Sequence, residues 1–158
     1  MSVIVDVSTD GVRAPLASAR VKEIATAVLR AEGAADALVS IAFVSAREMA
    51  RLNKRHLGHA GATDVISFAL GSGTERSTTY PVVGDIYIAP DVARANARRF
   101  GRGVREEVAR LVVHGTLHVL GHDHPDGGDR TTSAMWRRQE RLLSSARVRR
   151  ALSEGRAR

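Results

Sequence analysis

Polar and apolar residues alternate at the start of the chain, where Val3, Val5 and Val7 bracket Ile4 and Asp6, and this period of two predicts a first strand over 3–7. The period then lengthens. Leu16, Val21, Ile24 and Val28 recur at helical spacing, which predicts a helix over 15–31 with Gly33 as its stop. Residues 38–44 form a β-branched, almost wholly apolar run, read as a strand covered on both faces. Ser45 is the expected N-cap of a second helix through His56, which buries Met49 and Leu52. Strands are expected over 63–68 and 84–88, paired in hairpin fashion across a Gly- and Ser-rich connection over 71–79. Pro90 and Asp91 open a helix to Arg99, and Gly101 and Gly103 separate it from a longer one over 104–120.

That longer helix begins amphipathic, with Arg105, Glu106, Glu107 and Arg110 opposed to Val108, Leu111 and Val112, and ends apolar on almost every side. It is therefore expected to be buried and central. A turn follows over 125–129, and Thr132 or Ser133 starts a last helix whose buried side carries Met135, Leu142 and Ala146. The order βαβαββααα predicts an α+β fold, a four-stranded mixed sheet packed with five to six helices. No repeat or second domain is visible, so residues 1–152 are read as one domain and 153–158 as a frayed tail.

The chain has 158 residues, enough for a hydrophobic core without staples, and no cysteine, so any metal must be held by nitrogen and oxygen. Acidic residues interrupt the first apolar run and no basic residues lead into it, unlike a secretory signal. No apolar stretch is long enough to span a bilayer, and a soluble cytoplasmic protein is expected. The formal charge of +7 suits a polyanionic partner such as RNA. Nearly all of it is arginine, since Lys22 and Lys54 are the only lysines, and base composition alone can produce that bias. Arg47, Arg51 and Arg55, with Lys54, nevertheless form a stripe on one face of the second helix that would suit a phosphate backbone as well as solvent.

Four of the six histidines fall in the eleven residues from His114 to His124. His114 and His118 are four apart and share one helix face. Gly121 follows where a helix commonly ends in a left-handed residue, and that turn would bring His124 back toward the first pair. A lone histidine on an apolar helix is usually a satisfied core residue, but three nitrogens around one point with a fourth position open make the arrangement of a catalytic zinc. One zinc ion per chain, held by His114, His118 and His124, is the expectation. His122 is read as a solvated loop residue, with a spare ligand or a proton shuttle as alternatives. Asp64, Asp85 and Asp123 are candidates for holding a ligand histidine's second nitrogen. Gly115 costs about 1 kcal/mol in a helix relative to alanine, so its missing side chain should leave room for substrate or a neighbouring strand.

The spacing of the three histidines is also that of metzincin proteases, in which glutamate follows the first histidine as general base. Here that position is Gly115, which argues against proteolysis. The block from His114 to His124, His-Gly-Thr-Leu-His-Val-Leu-Gly-His-Asp-His, more closely resembles the signature His-Gly-x-Leu-His-Leu-x-Gly-Tyr-Asp-His of the YbeY endoribonucleases, the bacterial rRNA maturation factors. The likeness extends to Leu52-Asn53, Thr63-Asp64-Val65-Ile66-Ser67-Phe68, Gly84-Asp85-Ile86, Met135 and Gln139-Glu140, in the same order.

This resemblance implies a metal-dependent endoribonuclease specific for single-stranded RNA, acting in 16S rRNA 3′-end maturation and ribosome quality control, with the small ribosomal subunit as partner. It implies His114, His118 and His124 as zinc ligands, and His114 counts also as a catalytic residue. Two positions depart from the pattern. His122 replaces the tyrosine, and Leu57 stands where some members carry an arginine associated with activity; Arg55 is the candidate substitute. Without a glutamate beside the ligands, the attacking group is a water or a ribose 2′-hydroxyl, between which the sequence does not choose. A zinc metallopeptidase and a non-catalytic rRNA-binding ribosome-assembly factor with a structural metal are the alternative readings.

Overall fold

The computed structural model describes residues 2–9, 11–71, 82–124 and 133–154. Its elements run β1 (Val3–Ser8), α1 (Ser18–Ala31), β2 (Ala37–Phe43), α2 (Ala46–Leu57), β3 (Val65–Ala69), β4 (Val82–Ile88), α3 (Pro90–Arg99), α4 (Val104–Val119), α5 (Ala134–Leu143) and α6 (Ala146–Ser153). The expected connection over 71–79 and the turn over 125–129 lie almost wholly outside the described residues.

The four strands form one mixed sheet in the order β1-β2-β4-β3. β1 and β2, and β2 and β4, pair in parallel, and β3 pairs antiparallel with β4. The helical crossover between β1 and β2 makes their parallel pairing possible, whereas β3 and β4 pair antiparallel as the sequence predicts. The α+β expectation therefore holds.

The core lies between one face of the sheet and the helices α1, α4 and α6, and includes Ile24 and Val28 of α1, Ile41 and Phe43 of β2, Ile86 of β4 and Val112 and Leu117 of α4. Burial of side chains of this size stabilises the fold by about 1.5–3 kcal/mol each. On the opposite face α2 covers the β3–β4 end, where Met49 packs with Ile66 and Ala89. Ser45 caps α2 as expected, its hydroxyl accepting from the Glu48 amide at 3.1 Å.

Two expectations fail. β2 is covered on one face only: Val39, Ile41 and Phe43 are buried, but Leu38 is 46% exposed. Its apolar sequence hid an ordinary in-and-out alternation, because Ser40 and Ala42 are small enough not to break the run. The last helix is two helices, parted at Ser144 and Ser145, with Ser145 in extended conformation. The break lets Val148, Ala151 and Leu152 pack into the core while Arg20 of α1 pairs with Glu154. Ser153 closes α6, and residues 155–158 lie outside the described residues.

Candidate metal and active site

α4 is central, as its all-round apolar second half predicts, and buries every residue from Glu107 to Val119 except His114 and His118. These two half-buried rings are one turn apart, with their Nε2 atoms 3.1 Å from each other. The helix then ends in a Schellman motif: Gly121 has φ +96°, its amide donates to the His118 carbonyl at 3.0 Å, and the His122 amide donates to the Leu117 carbonyl at 3.0 Å. The reversal returns His124 to the pair, its ring centroid 5.6 Å from that of His114 and 5.0 Å from that of His118.

One nitrogen from each of the three rings lies within 4.8 Å of the others. Tetrahedral ligation with bonds of about 2.0–2.1 Å places ligand nitrogens roughly 3.4 Å apart, so ring adjustments on the order of 1 Å bring these residues onto one ion. The protonation of His118 suits it. Burial, reinforced by the neighbouring His114 and His124, lowers the His118 pKa to about 4, which leaves the ring neutral and able to ligate at neutral pH. The donor set fits a divalent metal.

Behind His114 stands a polar chain that the sequence reading did not find. Its Nδ1 lies 2.6 Å from Oε1 of Gln139, a side chain 1% exposed on α5. Gln139 donates through Nε2 to Glu140 at 3.1 Å, and Glu140 accepts from Nε and Nη2 of Arg110, each at 3.1 Å. Arg110 also reaches Glu107 at 3.2 Å. Burial alone would raise the Glu140 pKa, but the hydrogen bonds from Arg110 and Gln139 and the charge of Arg110 hold it below the usual carboxylate value. The sequence signals were the Gln139-Glu140 block of the resemblance and the polarity of Gln139 within the buried stripe of Met135, Leu142 and Leu143.

The three histidines open on a cavity of about 630 Å³ whose wall includes Asp64, Asn96, Arg102, Glu107, Trp136 and Gln139. Arg102, which the sequence reading also passed over, is 37% exposed there and lies 3.5 Å from Glu107. None of the three aspartate candidates takes the Nδ1 of His114, which faces Gln139. Asp64 accepts from Asn96 at 3.2 Å, and burial raises its pKa. Asp123 accepts from the His124 amide at 2.9 Å. Asp85 alternates with Gly84 and Ile86, which face α4, and so projects from the other side of the sheet. His122 lies outside the three-histidine group, and its Nε2, on a side chain 36% exposed, is 3.2 Å from Glu32, which Arg138 also binds. Arg55 is exposed on α2 and does not line the cavity, whereas Leu57 does.

A family model described as Endoribonuclease YbeY matches residues 6–147. An Endoribonuclease YbeY of Bacillus licheniformis is 35% identical over 91% of this chain and 95% of its own length. One of Anaeromyxobacter sp. is 39% identical over 96% of this chain and 77% of its own. Among solved structures, the solution structure of TM1509 from Thermotoga maritima superposes with a TM-score of 0.61 at 26% identity, covering 92% of this chain and 89% of that one. The three-histidine site sits within the matched span, and the chain belongs to the endoribonuclease YbeY family.

Proposed function

We propose that this chain is a zinc-dependent endoribonuclease that cuts single-stranded RNA, and that its substrate is 16S rRNA at the 3′ end, handled with the small ribosomal subunit in the cytoplasm. The observation that carries the reading is the convergence of His114, His118 and His124 at the wall of an open cavity. Zinc bound there would acidify water and offset negative charge developing on a phosphoryl oxygen. The chain's own part is to hold three imidazoles on one point, His114 and His118 by α4 and His124 by the left-handed turn at Gly121. Arg102 offers a guanidinium in the cavity wall that can fork onto phosphate oxygens. Arg55 is proposed as the further arginine, acting from the exposed face of α2.

Gly115 weighs against a peptidase. A Cβ there would lie 2.8 Å from Cγ2 of Ile86, so a glutamate like the base of a metzincin would have to displace that side chain.

The test is zinc quantitation coupled to cleavage of single- and double-stranded RNA by wild type and His118→Ala. We expect about one zinc per chain, cleavage of the single strand only, and loss of both metal and activity in the variant. Metal-free wild type that is equally stable and active would overturn the reading. Zinc-loaded wild type that leaves defined RNA intact would favour the assembly factor with a structural metal.

A further inference from the structure

We propose that Gln139 is the positioning residue for His114, and that the chain Arg110–Glu140–Gln139 dictates which nitrogen of that ring faces the cavity. This inference rests on the metal reading above and goes beyond it by assigning a function to α5.

The argument is one of obligatory donors and acceptors. Arg110 can only donate, and its Nε and Nη2 both point at the Glu140 carboxylate at 3.1 Å. Glu140, kept ionised by that pairing, can only accept. The side of the Gln139 amide 3.1 Å from it must therefore be the NH2 group, since the reverse orientation would set oxygen against carboxylate oxygen. With Nε2 so committed, Oε1 is the atom 2.6 Å from Nδ1 of His114, and an amide oxygen only accepts. Nδ1 must then carry the proton, and the lone pair of the neutral ring lies on Nε2, the atom that faces His118.

Burial makes this arrangement consequential. Gln139 is 1% exposed, so water has little access to replace its hydrogen bond to His114. Arg110 is anchored in turn by Glu107, which is itself buried, so each donor in the chain has an acceptor with limited freedom to turn. The partner that orients the ligand thus comes from α5, 25 residues along the chain from α4's first histidine.

The experiment compares wild type with Gln139→Met, which keeps side-chain volume and removes the strong acceptor. Zinc affinity is read by competition with a chelator, and nitrogen NMR of the zinc-loaded full chain identifies the ligating atom of His114. We expect wild type to bind through Nε2 with a slowly exchanging Nδ1–H, and Gln139→Met to lose that protection and bind zinc roughly 10- to 100-fold more weakly while melting as a folded protein. Ligation through Nδ1 in wild type overturns the inference whether or not the variant folds, and so does unchanged affinity in a folded variant. Wild type that binds no zinc removes the proposed function and this inference together, whereas the other two outcomes remove this inference alone.

Discussion

Two glycines show how closely the site's helix is pressed against the sheet. A Cβ on Gly84 would lie 2.4 and 2.6 Å from the methyls of Val119 and 2.9 Å from the Phe68 carbonyl oxygen, which the β3–β4 pairing holds in place. A Cβ on Gly115 meets only the side chain of Ile86, at 2.8 Å. Overpacking of this kind costs about 1–3 kcal/mol. At Gly115 the helix preference for alanine, about 1 kcal/mol, offsets part of it. Gly84→Ala should therefore lose more stability than Gly115→Ala in urea unfolding, and equal losses would contradict the packing account. Of the two uses foreseen for the missing side chain at Gly115, the structure decides for the neighbouring strand.

Among the elements, α2 and α4 divide the work. α4 carries two of the three histidines, while α2 turns Arg47, Arg51, Lys54 and Arg55 to solvent, with Arg51 in an exposed pair with Glu48 at 3.1 Å. Exposed pairs contribute about 0–1 kcal/mol, so stability does not explain this stripe. If it tracks RNA, replacing Arg47, Arg51 and Arg55 by glutamine should lower the slope of log affinity against log salt by about 0.7 for each phosphate left without its cation. A slope unchanged from wild type in binding titrations would remove α2 from the RNA interface. The break between α5 and α6 shows why element boundaries were harder to read. The spacing from Leu142 to Ala146 continues a helical period straight through Ser144 and Ser145, and only docking of α6 into the core distinguishes one helix from two.

For the molecule as a whole, the charged network around Arg110 ties α4 to α5 and makes stability depend on acid. The Glu140 pKa is lowered from 4.5 in the folded state, so as pH falls the unfolded chain takes up this proton first. The stabilisation is complete above pH 4.5 and is lost as pH drops through the folded value below it. Thermal melts should show wild type losing stability more steeply below about pH 4.5 than Glu140→Gln, whose amide does not titrate in that window. Parallel curves would mean that Glu140 is not linked to folding.

The linear pattern determined what neighbours in the chain can settle by themselves. Period and capping placed the strands and most helices, and His114, His118 and Gly121 lie close enough that helical geometry and a left-handed turn bring the three histidines together. The pattern misled where apolarity and burial part company, as at Leu38, and where two helices share one period. Tertiary structure alone decided the rest: that Gln139 stands behind His114, that His122 turns to Glu32 at the end of α1, that Arg102 lines the cavity and that Arg55 does not. These outcomes depend on which faces of distant elements meet. Such meetings arise from packing the whole core, and short-range spacing carries no record of them.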